Sequence, residues 1–311
     1  MRRAQVSKAT AQMSGPMGES FRAARVPVGP QVFSAVARVA VYAGALACAA
    51  VLLLIVGFVL VRGVPYLTPD LFAWEYDSTN VSLMPALVNT LLMAALALLL
   101  AVPAGVGAAI YLVEYARPDS RFVRWVRVAT ETLQGVPSIV YGLFGLLFFV
   151  TLLQWRLSLL SGACTLAVMV LPVIMRTSEE ALLAVPRGYR EGAFGLGAGR
   201  LRTVVRCVLP SAAPGIAGGV LLALGRCMGE VAALLFTAGT VAQVPAFLEE
   251  GPAAVFDSCR TLAVHMYVLA GEGLHVDEAY ATAVVLLVLV IGLNALTGLV
   301  AAKLNGRNAD A

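Results

Sequence analysis

Residues 87–113 read LVNTLLMAALALLLAVPAGVGAAIYLV, an apolar run without one charged side chain. At 1.5 Å per residue, a helix over this run is about 40 Å long, more than the ~30 Å hydrocarbon core of a bilayer. A helix of that length that is apolar all round needs lipid, or a very large core, as its surroundings. Five further segments repeat the pattern, at 39–61, 135–154, 158–175, 214–238 and 280–301, each near the ~20 apolar residues that a span requires. Composition agrees. The 311 residues are 60% hydrophobic and 13% charged, with a mean hydropathy of +0.86, whereas soluble chains run about 45–50% apolar and about 25% charged. The expected fold is all-α, a polytopic membrane protein with six transmembrane helices.

The connections set the topology. Only Gln154, Trp155 and Arg156 separate the third run from the fourth, which predicts a tight helical hairpin. The first run, Val39 to Val61, is too long for the apolar part of a signal peptide, and no small-x-small cleavage site precedes a soluble domain. It reads as a retained anchor. Of the 22 lysines and arginines, 18 fall in the N-terminal arm, the second-to-third and fourth-to-fifth connections, and the tail. The other side holds only Arg62, Arg156 and Arg260, and Arg226 is left inside a span. By the positive-inside rule both termini are expected in the cytoplasm. Two longer loops, about 62–86 and 239–279, then face outward and carry nine of the 18 acidic residues; Leu262 to Leu269 predicts a short re-entrant or interfacial helix there. The expected organisation is a disordered cytoplasmic arm over 1–35, a first span and external loop over 36–80, a membrane core over 85–301 with a loop at 176–212, and a cytoplasmic tail over 302–311.

Several function classes find no support. The basic residues lie between apolar runs and form no stripe, so nucleic-acid binding is not expected. Cys48, Cys164, Cys207, Cys227 and Cys259 form no CxxC pair, and three of them stand inside apolar runs, so neither a disulfide framework nor a metal site is expected. His265 and His275 have no ligand set at metal spacing. Only two lysines occur, Lys8 and Lys303, and neither follows a glycine, so the Walker A loop that cradles nucleotide phosphates is missing. No HExxH or nucleophile-elbow motif supports an intramembrane enzyme. No cofactor is implied. No internal repeat speaks for a carrier built of two related halves, although an ion-coupled carrier or channel remains an alternative.

The 176–212 loop is the most informative stretch. Thr177 or Ser178 is placed to cap a short helix that Pro186 interrupts, Gly197 or Gly199 to end a second, and Pro210 and Pro214 to break the chain before the fifth span. Glu191-x-Ala193-x-x-x-Gly197, followed by Leu209-Pro210, resembles the EAA loop of bacterial ABC importer permeases. In those proteins this loop docks on the ATPase subunit. Gly192 replaces the usual alanine and Cys207 the usual isoleucine, and Gly195 and Gly199 further soften the helix. Read without the resemblance, the loop is a solvated basic connector.

The resemblance extends over about 85–301. Asn89-Thr90-Leu91, the run Ala101 to Tyr115, Gly135-Val-Pro-Ser-Ile-Val-Tyr-Gly-Leu-Phe-Gly145, Gly225-Arg-Cys-Met-Gly-Glu230, Leu234-Leu-Phe-Thr-Ala238, Val264-His-Met-Tyr-Val-Leu-Ala270 and Leu293-Asn-Ala-Leu296 are similar to the phosphate-specific ABC permeases, the PstA-type subunit in particular, with Val231 where threonine is usual. The resemblance implies an ABC importer type I (MetI-like) fold and a non-catalytic permease of the bacterial inner membrane. The implied partners are a cytoplasmic PstB-type ATPase dimer, a PstC-type second permease, an external PstS-type phosphate-binding protein and membrane lipid. Permeases for sulfate or molybdate are the near alternative.

Arg226 stands at the midpoint of the 214–238 run, and Glu230, four residues on, shares its helical face. An intramembrane arginine without a partner costs from about 2.5 to over 10 kcal/mol, so the pair is expected to face protein or a wet cavity. It reads either as a structural ion pair or as counter-charge for a passing oxyanion, with Glu230 restraining the arginine or accepting from a phosphate P–OH. The resemblance implies the second. Pro103 and Pro137 are expected kinks. Gly142, Gly145, Gly218 and Gly219 are expected close-packing sites, and Glu131 and Gln134 are candidates for an inner mouth.

Overall fold

The computed structural model describes residues 28–117 and 119–309. Two compact units divide the chain, Met1–Gly57 and Phe58–Ala311. In the first, the described residues belong to the helix α1 (Val28–Gly63), on which the side chains of Phe33, Leu46 and Leu53 are exposed. The expected disordered arm over 1–35 lies mostly outside the described residues, since 1–27 are not described and 28–35 are helical.

The second unit is built on long helices. α2 (Met84–Ile110), α5 (Leu159–Ala184) and α7 (Leu209–Met228) form its centre, with α10 (Val276–Ala309) alongside. Their core joins Met93, Ala97 and Ala101 of α2 with Leu166, Val170 and Ile174 of α5 and Ala223 and Met228 of α7. Small residues bring these helices close, as membrane helices need in a solvent as apolar as leucine. A Cβ on Gly105 would come within 2.9 Å of Ile174.

Among the described residues, five helices are long and apolar enough to cross a membrane. The third expected span, 135–154, holds one helical stretch, α4 (Ser138–Gly145, prolonged by a π-helical stretch to Leu152), but the connection before it is itself a helix, α3 (Arg121–Gln134), which meets α4 at 102°. Pro137 lacks the N–H and the freedom to continue α3, and Pro137 precedes α4 where proline is tolerated. After Leu152, Gln154 and Arg156 adopt φ of 58° and 59° and reverse the chain into α5, whose Ser158 hydroxyl accepts from Ser161 N–H at 3.2 Å. This is the tight hairpin that the three-residue separation predicts.

The ends of α5 and α7 also differ from expectation. α5 runs through Thr177 and Ser178 without a break, so neither residue caps a helix; Thr177 donates its hydroxyl to the Val173 carbonyl at 2.9 Å. Pro210 and Pro214 do not break the chain either. Pro210 lies in the first turn of α7, and a wide π turn at Val204–Val208 precedes it. Proline cannot donate to the carbonyl four residues back, and the wider turn accommodates that loss.

Candidate functional site

Three places gather polar or charged groups that an apolar chain must account for. The first interrupts the fifth span. α7 packs antiparallel on α5 through glycines: a Cβ on Gly215 would stand 2.6 Å from the Ala181 Cβ, and one on Gly219 would collide with the Thr177 hydroxyl. Continued, this register brings Arg226 level with Val170, near the middle of α5. There α7 ends. Gly229 follows, Val231 turns the chain, and a short helix α8 (Ala232–Thr237) resumes the path to Ser158 at the far end of α5.

The break separates what the sequence joins. An i,i+4 pair needs a continuous helix, and no ion pair links Arg226 to Glu230 among the described residues. Arg226 occupies the last turn of α7, where the carbonyl ends favour a cation. Glu230 precedes α8, and its Oε1 accepts from the Ala233 N–H at 3.2 Å. Both side chains are half-buried. Arg226 lies within electrostatic reach of Tyr141, whose hydroxyl donates to the Leu133 carbonyl at 2.7 Å across the α3–α4 elbow. Gly142 allows the close approach of α4, since a Cβ there would come within 2.8 Å of Ala233. Gly145 and Gly219 are close-packed as expected, but Gly218 faces open space. The arrangement therefore presents a guanidinium unneutralised by its expected partner, beside a gap in the backbone ladder.

The second place is the arginine-rich end of the helices. Here α6 (Arg187–Gly195) follows Pro186, and Glu191 is exposed while Ala193 is half-buried. Gly197, at φ 78°, closes it: its N–H reaches the Phe194 carbonyl at 2.9 Å, and Ala198 N–H the Ala193 carbonyl at 3.0 Å. This paired closure is the Schellman motif, and a left-handed residue there costs a side chain about 1–2 kcal/mol that glycine avoids. Leu209 and Pro210 lie at the start of α7, separated from α6 by the short turn Arg200–Thr203. They do not join Glu191, Ala193 and Gly197 in one cluster, but bracket the same connection.

Ion pairs that sequence reading left as mere positive charge fasten this end. Arg127 of α3 meets Glu179 of α5 at 2.6 Å, with the carboxylate 2% exposed. Arg176 meets Glu180 at 2.8 Å and Glu131 at 3.7 Å. Gln134 donates to the Pro172 carbonyl at 3.1 Å. The two candidates for an inner mouth thus staple α3 to α5. Arg190 meets Glu114, which stands in a π-helical turn (Tyr111–Tyr115) that ends the second span, at 2.6 Å.

At the opposite end a third cluster is polar and buried but unpaired. Arg260 (4% exposed) stacks its guanidinium 4.5 Å from the centroid of Tyr76, and its Nε and Nη2 have no hydrogen-bond partner. His265, in the predicted loop helix α9 (Leu262–Glu272), is fully buried. Burial and the nearby Arg260 charge push its pKa down to about 3. Asn89 donates to the Gln243 and Arg260 carbonyls at 2.8 and 3.2 Å, and Thr90 accepts from Leu262 N–H at 2.8 Å, tying the α2 start to this loop.

Residues 101–308 match the family described as the binding-protein-dependent transport system inner membrane component. The chain belongs to this family. It is 36% identical over 247 residues to the probable ABC transporter permease protein YqgI of Bacillus subtilis (strain 168), covering 75% of this chain and 82% of that one. It is 41% identical over 154 residues to the phosphate transport system permease protein PstA 1 of Mycobacterium tuberculosis (strain CDC 1551 / Oshkosh), half the length of each. In fold it is similar to a chain of a bacterial ABC transporter involved in the import of the acidic polysaccharide alginate, with TM-score 0.56 at 14% identity, over 88% of this chain and 99% of that one. The inner-membrane family and the apolar helices together make this a multi-pass membrane subunit of a transport system.

Proposed function

We propose that this chain is the permease subunit of an ATP-driven phosphate importer and forms half of its translocation pathway. Family membership supports the importer, and the likeness to PstA-named permeases supports phosphate. The observation that carries the substrate class is Arg226, a guanidinium at mid-span depth beside a helix break and without an ion-pair partner among the described residues. Broken helices that expose backbone ends at this depth are where membrane transporters hold ions and substrates.

The mechanism follows from the two half-helices. The carbonyl end of α7 steadies Arg226 and leaves its fork free for two oxygens of an oxyanion. Glu230 is held by Ala233 through one oxygen, so its other oxygen is available to accept from a P–OH. Phosphate carries such a proton near neutral pH and sulfate does not. Phosphate arrives from an external PstS-type binding protein, a PstC-type chain supplies the other half of the pathway, and both termini of this chain face the cytoplasm. A PstB-type ATPase dimer docks on α6 around Glu191, Ala193 and Gly197, with Leu209 and Pro210 carrying the movement into α7.

The test is uptake of labelled phosphate in cells that depend on this transporter. Arg226→Gln is expected to abolish high-affinity uptake while the complex still assembles, and excess sulfate or molybdate is expected not to compete in the wild type. Normal uptake by the variant sinks the role of Arg226; competition by sulfate or molybdate sinks phosphate as the substrate.

A further inference from the structure

α6 is weakly attached by apolar contact. None of its residues is fully buried, and Tyr189 and Phe194 are 56% and 46% exposed. What holds it is one guanidinium. Arg190 donates through Nε and Nη2 to the same Glu114 oxygen at 3.0 and 2.6 Å. Nη2 also reaches the Leu182 carbonyl and Nη1 the Val185 carbonyl, each at 2.9 Å. The side chains are 17% and 7% exposed, so the pair is shielded from solvent and from salt. A second cation adds to it: Arg200, just past α6, lies 5.8 Å from the ring centroid of Tyr115, beside Glu114.

We infer that Arg190 is the positioning residue that couples α6 to the spans, by locking it to the ends of α2 and α5 at once. Leu182 and Val185 lie at the last turn of α5, and Glu114 in the π turn continuing α2. A helix fixed at one polar node moves as a lever: displacement of α6 pulls both span ends and leaves the apolar core packed. The planar fork of arginine fixes direction as well as distance, which the point charge of a lysine does not. This inference rests on the reading of α6 as the ATPase docking helix.

The experiment uses the whole transporter in proteoliposomes, with its ATPase and its external binding protein, and reads phosphate transported per ATP hydrolysed. Arg190→Lys and Arg190→Gln are expected to lower that ratio at least about fivefold, the scale of a coupling energy between sites, while the ATPase still co-purifies. Glu114→Gln is expected to lower it less, because the two carbonyl bonds of Arg190 remain. Charge exchange, Arg190→Glu with Glu114→Arg, is expected to recover part of it. An unchanged ratio in both Arg190 variants overturns the inference. So does loss of the assembled complex in all three single variants, which makes Arg190 a plain structural anchor. If the wild-type chain itself does not retain the ATPase, the docking reading fails, and that outcome is distinct from either of these.

Discussion

The two ends of the helical unit treat buried charge in opposite ways. At the arginine-rich end each buried carboxylate has its arginine: Glu179 with Arg127 and Glu114 with Arg190. At the opposite end Arg260 and His265 are buried just as deeply, yet Arg260 has only the face of Tyr76, and both ring nitrogens of His265 lack a hydrogen bond of good geometry. The first end is held by directional pairs, which tolerate no change in geometry. The second is held by apolar packing of Leu71, Leu83 and Leu262 and by neutral hydrogen bonds of Asn89 and Thr90, without an ion pair for Arg260 among the described residues. The arginine-rich end therefore has the more rigid joints.

The largest expected effect lies at the paired end. Arg127→Met leaves Glu179 as a buried, uncompensated carboxylate and is expected to cost about 3–5 kcal/mol of stability, seen as a lowered thermal midpoint of the purified protein. Adding Glu179→Gln to it is expected to restore much of that. A small loss in the single variant would remove the contrast between the ends.

Next comes acid. The pKa of His265 lies at about 3 in the folded chain, below its ordinary 6.5. Below pH 6.5 the unfolded chain takes up a proton that the folded chain refuses, so stability is full above that pH and falls toward pH 3. The slope is at most about 1.4 kcal/mol per pH unit, or about 2 kcal/mol by pH 5. Denaturant midpoints measured from pH 7 to 5 for the wild type and His265→Gln check this: the variant should lose the histidine part of the slope.

The smallest effect sharpens the comparison most. Arg260→Met is expected to change stability by less than about 1 kcal/mol, because the stacking on Tyr76 is offset by relief of an unpaired buried charge. The same substitution at Arg127 is then several times costlier, although both arginines stand at the surface-loop level of the sequence. A cost at Arg260 equal to that at Arg127 would mean the opposite end holds a strong partner of its own.

Length and hydropathy made most of the spans legible, because a run such as 87–113 has no other home than lipid. The helix-ending role of Gly197 was legible too, since a glycine after a short helix anticipates the left-handed turn it adopts. The elbow at 135–137 was not. A proline in an apolar run reads the same whether the helix kinks or turns through 102°. Nor was the break after Met228, where Gly229 is one of many glycines and no proline marks it, so Arg226 and Glu230 read as neighbours on one face. Arg190 and Glu114 stand 76 residues apart, and a pair of that separation exists only once the helices have packed. Glu114 did leave a trace, as a lone carboxylate at the close of an otherwise uncharged run.

The break at Gly229 has a consequence for the life of the chain before it is assembled. Where α7 stops and α8 starts, the regular ladder gives way to long bonds, Gly229 N–H to the Gly225 carbonyl at 3.4 Å and Glu230 N–H to the Cys227 carbonyl at 3.5 Å, and to the Glu230 carboxylate on Ala233 N–H. This happens at a depth where hydrocarbon offers no replacement and a bare group costs several kcal/mol. On the proposed reading, in which a second permease lines the other half of the pathway, a copy of this chain made without that partner leaves the break uncovered and is expected to be degraded faster, which a pulse-chase with and without the partner checks.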